Sequence, residues 1–191
     1  MQNDLVIAGF GGQGVLLIGK LLAHAGMHAG KEVVWFPSYG PEMRGGTANC
    51  SVVISDRPVG SPIIASPRGL IAMNLPSLDK FEPAVKPGGL LIINTSLINR
   101  PPQRRDLDVL ELPCNAMAIE AGSARAANMV ALGAYLGMSQ AVDLKEVQEL
   151  VRETFAQKPK LIDVNLRALA AGHERALAHR RAAGAAQEVR S

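Results

Sequence analysis

The apolar positions of this chain alternate between two rhythms. Leu5 to Phe10 is a compact apolar run that meets glycines at once, the pattern of a buried strand ending in a turn. From Val15 to Ala29 the spacing lengthens. Leu17, Ile18, Leu21, Leu22 and Ala25 recur as on one helix face, with Gly30 as the stop. Val33–Phe36 returns to a strand pattern, and strand, helix, strand over this length predicts a βαβ unit with its two strands parallel. Further strands are expected over Ala48–Ser55, Ile63-Ile64, Gly69–Asn74, Leu90–Asn94 and Val109–Leu112, with a short helix over Ser77–Val85. The last third reads as helical. Ser123–Leu136 stops at Gly137. A second helix opens with Asp143 and Glu146 in capping-box spacing and is broken by Pro159. A third runs over Leu161–Arg181.

Strands alternating with helices predict a three-layer α/β/α sandwich, Rossmann-like. Between Ala48 and Asn74 the strands come without helices, so the sheet is expected to be mixed and mostly parallel. A chain of 191 residues suits one domain, placed at residues 1–182, with 183–191 as a flexible tail.

Composition narrows the classes of function. With 48% hydrophobic and 19% charged residues the chain is expected to fold, and 4% aromatic is too little for a single-strand nucleic-acid platform. The net charge of +3 is too weak to imply nucleic acid. No apolar stretch reaches membrane-spanning length, and the opening Met-Gln-Asn-Asp has no basic stretch of a secretory leader, so a cytoplasmic location is expected. Cys50 and Cys114 read as two buried, reduced thiols. Iron–sulfur clusters and structural zinc each need about four ligands, so no metal site is expected in this chain. His24 and His28 share a helix face but lack a third ligand.

The strongest local signal is Gly9-Phe10-Gly11-Gly12-Gln13-Gly14, a G-x-G-x-x-G run between a strand and a helix. Glycines there let the backbone turn tightly and approach a phosphate, and the helix start presents free N–H groups to an anion. The same glycines also suit a tight turn with no ligand. The acidic residue that holds a ribose in dinucleotide folds is missing, since the second strand ends Trp35-Phe36-Pro37-Ser38. The next loop instead carries Arg44-Gly45-Gly46, an arginine suited to a phosphate of NADP or coenzyme A, or to a salt bridge. Gly14 to Lys20 fits the spacing of an ATP-binding loop, but Leu21 stands where a hydroxyl must meet magnesium. No catalytic acid, base or nucleophile stands out, so no catalytic residue is assigned.

Two runs, Gly9-Phe10-Gly11-Gly12-Gln13-Gly14-Val15 and Pro37-Ser38-Tyr39-Gly40-Pro41-Glu42-Met43-Arg44-Gly45-Gly46, resemble the gamma subunit of 2-oxoacid:ferredoxin oxidoreductases. Asn128–Gly133 resembles the family's central helix motif and Asn165–Gly172 its C-terminal element, so the likeness covers about residues 4–173. It is greatest for the 2-oxoglutarate and branched-chain branches, and 2-oxoglutarate is the expected acid. The resemblance implies a complex that oxidises a 2-oxoacid with coenzyme A to an acyl-CoA, carbon dioxide and reduced ferredoxin. Thiamine diphosphate, Mg and [4Fe-4S] clusters are then expected in partner alpha, beta and sometimes delta subunits. This chain is expected to hold no cofactor alone. Its role would be contact with coenzyme A through Gly11, Gly12, Gln13, Gly14, Arg44, Gly45 and Gly46. Two other roles remain open: an independent NADP-type reductase or sensor, with Tyr39 as a proton donor, and a purely structural subunit.

Overall fold

The computed structural model describes residues 2–39, 47–61 and 64–188. Nine residues, β1 (Gln2–Phe10), form the buried middle of a six-stranded sheet of order β2-β3-β1-β4-β5-β6. The others are β2 (Glu32–Tyr39), β3 (Thr47–Ser55), β4 (Gly69–Ala72), β5 (Leu90–Asn94) and β6 (Asp108–Leu112). β1, β4, β5 and β6 pair in parallel, while β3 pairs antiparallel with both β1 and β2. The sheet is therefore mixed and mostly parallel, as expected from the helix-free stretch.

One detail differs from the simple βαβ reading. β1 and β2 point the same way, but β3 lies between them. Residues 40–46 are too few for a parallel crossover, which needs about a dozen residues, so β3 returns antiparallel along β2 and takes the place beside β1.

Alternation along β1 divides the core. Leu5 and Ile7 face α1 (Val15–His28) and the helical C-terminal half, whereas Val6 and Ala8 face α2 (Leu75–Phe81). Helices α3 (Cys114–Glu120), α4 (Ala127–Ser139), α5 (Leu144–Thr154) and α6 (Pro159–Glu188) pack on the α1 side. The result is three layers with unequal outer ones.

α4 is buried at every position from Ala127 to Gly137, which small residues make possible. A Cβ on Gly133 would meet the Leu169 carbonyl oxygen at 1.9 Å, and one on Gly172 would meet the Val130 oxygen at 1.9 Å. The two helices thus cross backbone to backbone. This places the Asn165–Gly172 element in packing.

Several boundaries move for local reasons. α2 starts two residues early because Asn74 Oδ1 accepts the Ser77 N–H at 2.9 Å, and a 3-10 turn over Glu82–Ala84 follows. α4 runs past Gly137 and ends where Gln140 turns left-handed at φ 51°, because Gly137 serves contact with α6 rather than termination. Pro159 opens α6 instead of breaking α5, which ends at Thr154, since a first-turn proline loses no helical hydrogen bond. α6 continues through 183–188, most of the segment expected as a tail. α3 has no counterpart in the sequence reading. Ile64 lies outside any strand, and Ile63 falls outside the described residues.

Candidate functional site

The glycine run closes the carboxyl end of β1. α1 leaves that end on one face of the sheet and α2 leaves the neighbouring β4 on the other. Helices that leave neighbouring strands on opposite faces mark the place where open α/β sheets bind ligands.

The turn is built by backbone geometry and by amides. Gly12 has φ 96° and Gly14 has φ 72°, conformations that side-chain-bearing residues avoid. Among the described residues nothing lies within 4 Å of a Gly12 Cβ, whereas a Gly14 Cβ would meet Asn128 Nδ2 at 2.3 Å. Asn128, buried at the start of α4, donates to the Gly14 carbonyl oxygen at 3.2 Å. This gives the Asn128–Gly133 element a structural task at the turn.

Gln13 folds back into the protein. Its Oε1 accepts the Phe10 N–H at 2.6 Å and Asn74 Nδ2 at 3.0 Å, and its Nε2 donates to the Met73 carbonyl oxygen at 3.4 Å. Its own N–H is taken by the Phe10 oxygen at 3.1 Å. Asn94, at the end of β5, also donates to the Met73 oxygen, at 3.2 Å, and to Asn115 Oδ1, at 2.9 Å. A line of carboxamides therefore runs along the carboxyl ends of β1, β4, β5 and β6.

That line leaves other groups free. Among the described residues the N–H groups of Gly11 and Gly12 have no hydrogen-bond acceptor, and α1 begins without a side-chain cap. Uncapped N–H groups at a helix start favour an anion. Of the residues expected to meet a phosphate, Gly11, Gly12, Gln13 and Gly14 come together here. Arg44, Gly45 and Gly46 lie outside the described residues, as do the side-chain surroundings of Tyr39.

Sequence reasoning assigned no role to the side chains of Asn74, Asn94 and Asn128, although Asn128 opened the helix motif. Each is a lone amide at the edge of an apolar run, and each is buried. That juxtaposition is a readable signal, because a buried amide must find partners.

Arg100, Arg104 and the two thiols are held away from the turn. The buried Glu82 accepts the Arg104 N–H at 2.8 Å and pairs with Arg100, which also meets Asp79. Arg104 pairs with Asp106. Two of the three arginines of the basic loop are thus paired locally. Cys50 and Cys114 are free and buried, and burial pushes both thiols up to about 12. Among the described residues no cluster of His, Cys, Asp or Glu is arranged to hold a metal ion, and no helix is long and apolar enough to cross a membrane.

Residues 4–175 match the family described as pyruvate ferredoxin/flavodoxin oxidoreductase. The chain is 42% identical over 167 residues to the ketoisovalerate oxidoreductase subunit VorA of Methanothermobacter marburgensis, covering 87% of this chain and 35% of that protein. It spans about a third of the length of such curated relatives. The gamma subunit of a keto/oxoacid ferredoxin oxidoreductase from Geobacter sulfurreducens superposes with a TM-score of 0.78 at 30% identity, covering 92% of this chain and 99% of that one. A 2-oxoglutarate:ferredoxin oxidoreductase from Magnetococcus marinus, solved with 2-oxoglutarate, coenzyme A and succinyl-CoA bound, gives 0.83 at 25% identity, covering 93% of this chain and 31% of that one.

Proposed function

This chain belongs to the pyruvate ferredoxin/flavodoxin oxidoreductase family, and from that membership we propose that it is the gamma subunit of a multi-subunit 2-oxoacid:ferredoxin oxidoreductase that binds coenzyme A. The observation that carries the reading is the turn at Gly11 and Gly12, whose N–H groups are free among the described residues at an uncapped helix start.

The chain's own contribution is electrostatic. The N–H groups of Gly11, Gly12 and Gly14, with the positive end of α1, receive the pyrophosphate of coenzyme A. Gln13 holds those groups in place through Phe10, Asn74 and Met73 rather than by touching the ligand. Arg44 adds a second phosphate contact, and Gly45 and Gly46 let the backbone approach. Thiamine diphosphate with Mg and [4Fe-4S] clusters, on alpha, beta and in some complexes delta subunits, supply the carbon and electron chemistry and pass electrons to ferredoxin. The two cysteines of this chain are buried, and a cluster needs about four ligands, so on this reading the clusters sit in the partners.

For the acid, 2-oxoglutarate is supported by the ligands of the Magnetococcus enzyme. The higher identity to VorA favours ketoisovalerate as a second reading. Purification of a tagged copy from its native cells, followed by coenzyme A-dependent dye reduction with each acid, separates them. Recovery of thiamine- and cluster-bearing partners with activity on one acid supports the reading. A lone protein without such partners refutes it.

A further inference from the structure

The row of carboxamides at the carboxyl ends of the strands has a fixed direction. Asn94 is buried, and its Oδ1 accepts the Cys114 N–H at 3.1 Å and the Ser96 N–H at 3.3 Å. Its Nδ2 is therefore the donating atom, to the Met73 oxygen at 3.2 Å and to Asn115 at 2.9 Å. The atom of Asn115 that meets a donor must be its oxygen, Oδ1. That leaves both hydrogens of Asn115 Nδ2 over. Ser96 is oriented in the same way, because its Oγ accepts the Asn115 N–H at 3.2 Å and keeps its own hydrogen to give. Among the described residues neither Asn115 Nδ2 nor the Ser96 hydroxyl hydrogen has an acceptor. Asn115 is half-buried and Ser96 exposed, so the row opens to solvent at these two donors.

The other end of the row is the glycine turn. The Met73 oxygen that takes Asn94 also takes Gln13 Nε2, at 3.4 Å. Three successive hydrogen bonds, each of about 3 Å, thus join Gln13 to Asn115, and about 10 Å at most separates them. Both sets of donors lie within the span of one coenzyme A molecule.

We infer that Asn115 and Ser96 form a second part of the coenzyme A site, where they donate to an amide carbonyl of the pantetheine arm. The inference rests on the coenzyme A reading above.

The chemistry of the donors selects that end of the ligand. The N–H groups of Cys114 and Asn115 are both taken within the protein, so the start of α3 has no backbone donor there for an anion. What remains is an amide and a hydroxyl, both neutral. Phosphates form their strongest bonds with charged donors. The pantetheine arm offers amide carbonyls, neutral acceptors that match. A donor held by a buried amide costs little ordering when the ligand arrives, which suits it to select the arm as well as to bind it.

The test measures coenzyme A-dependent dye reduction by the assembled enzyme, with ADP as a competitor of coenzyme A, because ADP carries the pyrophosphate without the arm. Asn115→Asp keeps an oxygen for Asn94 and replaces the free donor by an acceptor. It is expected to raise the KM for coenzyme A about tenfold or more and to leave the inhibition constant of ADP at the wild-type value. Ser96→Ala, a neutral change, is expected to raise that KM about threefold or more, again without effect on ADP. It carries the test if Asn115→Asp lowers the melting temperature of the complex. If both variants keep the wild-type KM while Gly12→Ala raises it, this inference falls and the reading of the turn stands. If ADP inhibition weakens as much as the KM rises, the donors meet the nucleotide end and the assignment to the arm is overturned. If Gly12→Ala also leaves the KM unchanged, or ADP does not compete in the wild type, the coenzyme A reading fails and this inference with it.

Discussion

Asn74 Nδ2 donates to Gln13 Oε1 at 3.0 Å, joining the end of β4 to the turn after β1 across 61 positions of sequence. The same oxygen accepts the Phe10 N–H at 2.6 Å, so one carboxamide fixes both ends of the turn. Preorganised donors are what anion binding requires, because no ordering remains to be done when the ligand arrives.

Removing that brace has a measurable cost. Gln13→Leu leaves the buried Asn74 amide short of an acceptor and is expected to destabilise the protein by about 1–3 kcal/mol. Asn74→Ala costs a similar amount and also loses the cap of α2. In a double-mutant cycle by urea unfolding, the two changes are expected to couple by about 1 kcal/mol. Additive effects would show that the contact does not hold the turn.

The two left-handed glycines are expected to differ. Gly14→Ala drives a methyl into Asn128 Nδ2, so strain adds to a clash. Gly12→Ala has open space and carries strain alone, about 1–2 kcal/mol. Thermal unfolding should rank Gly14→Ala well below Gly12→Ala. The reverse order would contradict the geometry of the turn.

At the α4–α6 crossing, Gly133→Ala and Gly172→Ala each place a methyl against a carbonyl oxygen of the facing helix. Neither backbone can retreat without opening the core, so each is expected to cost about 3 kcal/mol or more. A small shift in the denaturation midpoint would show that the helices stand further apart.

Patterning carried much of this architecture. All six strands and the long helices announced themselves through rhythm, and the helix-free stretch from Ala48 to Asn74 pointed to a mixed sheet. What stayed hidden depends on contacts across sequence. The insertion of β3 beside β1 is a pairing choice that no local pattern records. α3 is too short, with only Cys114 and Ala118 buried, to show a period. Gly137 and Pro159 carry the chemistry of stops, yet tertiary packing and a first-turn position give them other uses. At the site, the glycine run was legible because its spacing is mechanical. The inward turn of Gln13 was not, because its partners Met73 and Asn74 lie sixty residues away.

Burial gives a pH prediction. Desolvation raises Cys50 and Cys114 from 9.0 to about 12, and Tyr135 from 10.0 to about 12. Each group holds its proton more tightly folded than unfolded. Its stabilising contribution is therefore complete below its ordinary value of 9 to 10 and is lost as pH rises toward about 12. The melting temperature should fall through that alkaline window. Near pH 8 the native thiols should resist iodoacetamide until denaturant is added, since the thiolate is the nucleophile. Rapid native labelling would contradict the burial.

The most direct test of the central claim is the coenzyme A dependence of the assembled enzyme carrying Gly12→Ala. Among the described residues a methyl here meets no atom within 4 Å, so its strain is expected to leave the complex assembled while the methyl shields the free N–H groups of the turn. The KM for coenzyme A is expected to rise about tenfold or more, the loss of one charge-assisted hydrogen bond, with the KM for the 2-oxoacid unchanged. An intact complex whose KM for coenzyme A does not move would contradict the claim that this turn receives the ligand's phosphates.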